Sequence, residues 1–130
     1  MSDYSVKRIE DMEAVVFGSF VRARAELGVE SWGMQVLEIP AGATQYPEHD
    51  HAETGQEEVF VVLRGGGEIE IDGERVAIDP ETIVRVGAQA KRKIWPGAEG
   101  MRVLALGGVP GQAYEPAELS KLGVPDPMAA

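Results

Sequence analysis

Glu58-Val59-Phe60-Val61-Val62-Leu63 is followed by Gly65-Gly66-Gly67 and then by Glu68-Ile69-Glu70-Ile71-Asp72-Gly73. The first block is β-branched and aromatic, which suits a strand with at least one buried face. Alternation places Glu58, Phe60 and Val62 on one side and Glu57, Val59 and Val61 on the other. The triple glycine reads as a turn. It leads into a strand rather than a helix N-terminus, which argues against a phosphate loop. Glu68 to Asp72 alternates again, with Ile69 and Ile71 on the buried side. Asp72-Gly73 is the strongest short hairpin signal in the chain.

The same pattern extends in both directions. Upstream, Val21 to Leu27 alternates, and Trp32 to Ile39 reads as a strand stopped by Pro40-Ala41-Gly42. Downstream, the spacing predicts strands over Arg75 to Ile78, Thr82 to Val86, Lys91 to Trp95 and Met101 to Leu106. Asp79-Pro80, Pro96-Gly97 and Gly107-Gly108-Val109-Pro110-Gly111 punctuate them. Roughly eight or nine short strands without a long helical period predict an all-β, antiparallel jelly-roll barrel. Residues 5 to 18 read equally as a short helix or an edge strand. In the tail, Pro116 suits a helix start, Leu119 and Leu122 share a helical face, and Gly123 suits a stop, so a short C-terminal helix is expected over 116 to 122. Residues 124 to 130 are expected to fray.

A chain of 130 residues reads as one domain, 1–130. Its net charge of −10 makes nucleic acid and anionic membranes poor partners. There is no cysteine, hence no disulfide framework and no thiolate ligand. The N-terminus lacks an apolar signal core, and no stretch approaches a membrane span. The expectation is a soluble cytoplasmic protein. Nucleophilic catalysis finds no support, because the serines all fall outside the region from His49 to Arg92.

Both histidines of the chain sit in one triplet, His49-Asp50-His51, with Glu57-Glu58 shortly after. In a strand, residues two apart point the same way, so both imidazoles project together with a carboxylate close behind. That is a ligand set for a first-row transition metal.

Tyr46-Pro47-Glu48-His49-Asp50-His51, the run Gln56 to Leu63, and the glycine at Gly65 resemble the first motif of the cupin superfamily, in its small single-domain bacterial form. The likeness runs from about Gly28 to Gly111, leaving 112–130 as a tail. It implies a barrel pocket in which His49, His51 and Glu58 bind a divalent iron, manganese, zinc or nickel ion, with no nucleotide cofactor. It also implies a homodimer, and metal-dependent dioxygenase or isomerase chemistry on a small molecule.

The chain departs from that family twice. Six residues separate His51 from Glu58, more than the family's usual spacing, so Gln56 or Glu57 remains an alternative to Glu58 as the inward ligand. In Gly87-Ala88-Gln89-Ala90-Lys91-Arg92, an arginine stands where the second motif has its histidine. The usual four-ligand site cannot form.

Three readings of Arg92 stay open. It accompanies a two-histidine, one-carboxylate metal site. It replaces the metal by pairing with Glu58. Or it clamps an anionic substrate with its planar fork. With a divalent metal, Glu58 and Arg92, the pocket carries about +2 and would recruit a small anionic metabolite. Tyr46, Gln56 and Phe60 are the other candidate substrate contacts, although Tyr46 also reads as packing before Pro47, and Phe60 as core. Lys91 and Lys93 are expected on the solvated face, and Trp32 and Trp95 in core or interface positions. The competing function is a metal-free binding or sensing module with Arg92 in place of the fourth ligand.

Overall fold

The computed structural model describes residues 3–128. A 3-10 turn at Ile9–Asp11 precedes two short strands, β1 (Ala14–Val15) and β2 (Phe20–Val21), and a helix, α1 (Ala23–Leu27). Then come β3 (Gly33–Ile39), β4 (Glu57–Ile71), β5 (Glu74–Ile78), β6 (Ile83–Val86), β7 (Arg92–Gly108) and a second 3-10 turn at Glu118–Ser120. All pairings are antiparallel, in the order β1-β2-β3-β7-β4-β5, with β6 also on β4. This is an all-β barrel with little helix.

Strands β4 and β7 form one long ribbon, paired from Glu57 opposite Gly108 to Ile71 opposite Arg92. The expected turn at Gly65-Gly66-Gly67 is instead the crease of that ribbon, and the expected stop at Pro96-Gly97 is its counterpart on β7. The register slips between Gly65 and Gly67, where β7 bulges between Pro96 and Met101. Backbone crosses backbone there so closely that a Cβ on Gly65 would lie 2.1 Å from the Gly100 carbonyl oxygen, and one on Gly67 2.2 Å from that of Trp95. Glycine is present because nothing larger fits, and the strands bend without ending. Several expected short strands thereby merge, leaving seven among the described residues.

Alternation along the ribbon builds the core. Phe60, Val62, Ile69, Ile94 and Val103 are all buried inside the barrel. Each contributes about 1.5–3 kcal/mol by leaving water. Asp72 (φ +50°) and Gly73 (φ +86°) form the expected hairpin turn between β4 and β5.

Val21 to Leu27 is not a strand. Only Phe20–Val21 pairs, and Ala23–Leu27 closes as a helix stopped by Gly28 in the left-handed conformation. Ala, Arg, Glu and Leu are strong helix formers, and here their propensity overrides the alternation. With Val21 and Val36, Ala23 forms a second small core outside the barrel wall.

The tail helix expected over 116–122 shrinks to the turn Glu118–Ser120. A buried arginine, Arg22 (1% exposed), holds the segment instead, donating to Leu119 O at 2.7 Å and Val124 O at 2.9 Å. So short a helix cannot offset its nucleation cost. Nor does the tail fray at residue 124. Arg22 also pairs with Glu13, Glu13 accepts from Gly123 N, and Asp126 accepts from Val16 N. Residues 129 and 130 lie outside the described residues.

Candidate metal and ligand site

The histidine triplet lies on an extended segment laid against the start of β7. His49 and Arg92 exchange backbone hydrogen bonds of 3.0 and 2.8 Å, and His51 N donates to Ala88 O at 2.9 Å. Extended backbone turns both imidazoles the same way, with ring centroids 5.0 Å apart. Lys93 was expected in solvent. Its Nζ instead donates to Thr44 O at 2.9 Å and Tyr46 O at 2.7 Å, tying down the approach to the histidines. The same Nζ lies 4.6 Å from the centroid of the Trp95 ring, which Arg75 also covers. Trp32 is about half exposed and is not core.

His49 Nδ1 lies 2.9 Å from Pro47 O. A carbonyl only accepts, so Nδ1 carries the proton and Nε2 presents a lone pair. His51 Nε2 lies 3.0 Å from Glu58 Oε1, and His49 Nε2 lies 4.0 Å from the same oxygen. Glu58 is the inward carboxylate, buried at 5% exposure. Glu57 faces out to Arg85 at 2.8 Å. Ligand atoms of His49, His51 and Glu58 all fall within 4.8 Å of one another. Two imidazoles and one carboxylate suit a divalent transition metal and leave coordination positions open, so the donor chemistry fits.

Arg92 stands behind this cluster. Its side chain is fully buried, with Nη1 3.6 Å from Glu58 Oε1 and Nη2 donating to Gly87 O at 2.8 Å. Its Nε and Nη1 have no hydrogen-bond partner among the described residues.

The cluster opens into a cavity of about 1600 Å³. Tyr46 and Gln56 line it. Tyr46 packs beside His49, with ring centroids 5.7 Å apart. Burial, and then the charge of Glu58, push its phenol well above the ordinary value of 10.0, so it remains an un-ionised hydroxyl. Two expected contacts do not reach the cavity. Phe60 is 1% exposed, packed in the barrel core with Val62, Ile69, Ile94 and Val103. Arg92 is not part of the wall either, because Glu58 and the histidine segment seal it off.

Tyr114, Gln35 and Gln112 line the cavity without having been anticipated. Tyr114 and Gln112 come from the irregular tail, where no periodicity marks them. The one trace of Tyr114 in the sequence is the absence of a side chain beneath it, at Gly33; Gly107 lies in the same way beneath Gln56.

A family model described as cupin domain matches residues 35–107. Among solved structures, the fold is similar to a cupin protein from Bacteroides fragilis, with TM-score 0.69 and 22% identity over 90% of this chain and 93% of that one. It is also similar to an RmlC-like cupin protein from Desulfovibrio desulfuricans, with TM-score 0.58 and 22% identity over 80% of this chain and 97% of that one. No curated protein sequence matches this chain. Among the described residues, no helix is long and apolar enough to cross a membrane.

Proposed function

We propose, from the premise that this chain belongs to the cupin family, that it holds a divalent transition metal through His49, His51 and Glu58 and presents it to a small organic ligand in the barrel cavity. The observation that carries this reading is the convergence of three ligand atoms within 4.8 Å of one another at the cavity wall. A bound iron, manganese, zinc or nickel ion would supply a Lewis acid with open positions, the chemistry used by oxygenases and isomerases.

The chain's own groups prepare that site. Pro47 O fixes the tautomer and orientation of His49. Arg92 holds the Glu58 carboxylate from behind and offsets its charge. Tyr46 contributes an un-ionised hydroxyl to the wall. Lys93 immobilises the segment that carries both imidazoles.

A second reading is favoured by the contacts of Glu58 itself. His51 already bonds its Oε1 at 3.0 Å and Arg92 sets a counter-charge 3.6 Å from it, which suits a metal-free binding module. Elemental analysis of protein purified without chelator or nickel resin separates the two. Near-stoichiometric metal, lost in Glu58→Gln, supports the metal site. Protein that arrives metal-free and takes up no added iron, manganese, zinc or nickel overturns it in favour of the module.

A further inference from the structure

Glu58, Gly107 and Gly33 occupy one row across three neighbouring strands, since Glu58 pairs with Gly107 and Gly107 pairs with Gly33. Two side chains from elsewhere lie over the two glycines. A Cβ on Gly107 would sit 2.9 Å from Gln56 Nε2, and a Cβ on Gly33 would sit 2.8 Å from the Tyr114 hydroxyl. Strands are spaced about 4.8 Å apart. The polar groups of Glu58, Gln56 and Tyr114 therefore form a line across the cavity floor, starting at the histidine cluster. Only the first of the three is charged.

The charge of the whole wall points the same way. Among the described residues, the cavity is lined by four carboxylates (Glu38, Glu58, Glu99 and Glu115) against one arginine, Arg64. That arginine already faces Glu38 at 3.8 Å. The other cations nearby are unavailable: Arg92 is sealed behind Glu58, and Lys93 is spent on the Thr44 and Tyr46 carbonyls. Arg102 pairs with Glu38 as well, so the uncompensated carboxylates of the wall are Glu99 and Glu115. With no metal bound, an anion entering here meets these carboxylates and, among the described residues lining the cavity, no unpaired cation. A cation is opposed by Arg92 at the inner end, and by a metal when one is bound.

We propose that the cavity takes an uncharged ligand with an apolar body and hydrogen-bonding oxygen or nitrogen groups, and that Gln56 and Tyr114 set its selectivity. This rests on the reading of the cavity as the ligand site and not on the metal. It replaces the anionic metabolite expected when Arg92 was taken as a cavity contact.

Three probes of similar size test it: phenylacetamide, phenylacetate and 2-phenylethylamine, titrated by NMR into protein whose metal has been measured and then stripped by chelator. The expected result is saturable binding of the amide, about tenfold tighter than either ion, since an unpaired charge in the site is costly. That preference should shrink in Gln56→Leu and in Tyr114→Phe, with folding monitored by the same spectra. Equal or tighter binding of either ion, no saturable binding of the amide, or a preference unchanged in both variants overturns the proposal. Metal content measured on the same samples reports separately on the three-ligand site.

Discussion

Arg92 Nη1 lies 3.6 Å from Glu58 Oε1, although the two residues belong to opposite ends of one ribbon. Glu58 pairs with Gly107 near one end, and Arg92 pairs with Ile71 at the other. The ribbon has creased until its ends meet, and the ion pair joins them across the closed barrel. Removing the carboxylate leaves a fully buried guanidinium without its counter-charge. Glu58→Gln is expected to cost about 3–5 kcal/mol of stability, read as a lowered urea midpoint. An unchanged midpoint would show that the pair does not hold the barrel.

Arg92→His changes the same contact in another way. It removes a positive charge beside the three ligand atoms and places a third imidazole next to Glu58. Both effects favour a metal, so affinity measured by chelator competition should rise about tenfold or more. If affinity stays the same, the position does not face the metal site.

The clasp between the two termini should open in acid. Glu13 titrates below its usual 4.5 because it accepts from Gly123 N–H and, next, from the Arg22 guanidinium. Glu26 is also lowered, first by Lys7 and then by the Glu13 N–H. Folded values below the unfolded ones mean that this stabilisation is complete above about pH 4.5 and lost as the pH falls through the folded values. Hydrogen-exchange protection factors at residues 117–126 should therefore fall in acid before those of the β4–β7 ribbon do. Glu13→Gln should produce the same loosening at neutral pH.

The crease tolerates no side chain. Gly67→Ala would set a methyl 2.2 Å from a backbone carbonyl that has no room to retreat. A loss of about 2–4 kcal/mol is expected in thermal or urea unfolding. Gly111→Ala is the control: its φ of +72° strains an alanine, but nothing lies within 4 Å. A loss of about 1 kcal/mol is expected there.

The barrel was legible because a half-buried strand has an unmistakable period of two, as in Glu58 to Leu63 and Glu68 to Ile71. So was the cluster of three candidate ligands, because extended backbone forces His49 and His51 to one side, strand parity lets only one of Glu57 and Glu58 point in, and the spacing to Gly65 favours Glu58. What stayed hidden depended on distance in the chain. Gly65-Gly66-Gly67 has the composition of a turn, and only the presence of Gly97 and Gly100 across the ribbon makes it a crossing. The helix at Ala23–Leu27 was masked by an accidental alternation of alanine and charge. Arg92 was correctly placed inward, but its seclusion behind Glu58 follows from barrel closure, which no local pattern encodes. Tyr114 reaches the cavity from an aperiodic tail, so its role became visible only once Gly33 was seen beneath it.

Chain order also decides when the ribbon can close. The turn at Asp72-Gly73 joins β4 to β5 locally, whereas the 15 residues of β4 must wait for the 17 of β7, with β5 and β6 synthesised between them. Such non-local ladders form slowly, because loop entropy is lost before the contacts are gained. The Glu58–Arg92 contact can form only after the crease has brought both ends around, so we expect it to be absent from the rate-limiting barrier to folding. An interaction of that kind governs escape from the native state rather than arrival at it. A protein deprived of this contact should fold at an unaltered rate and survive for a shorter time once folded.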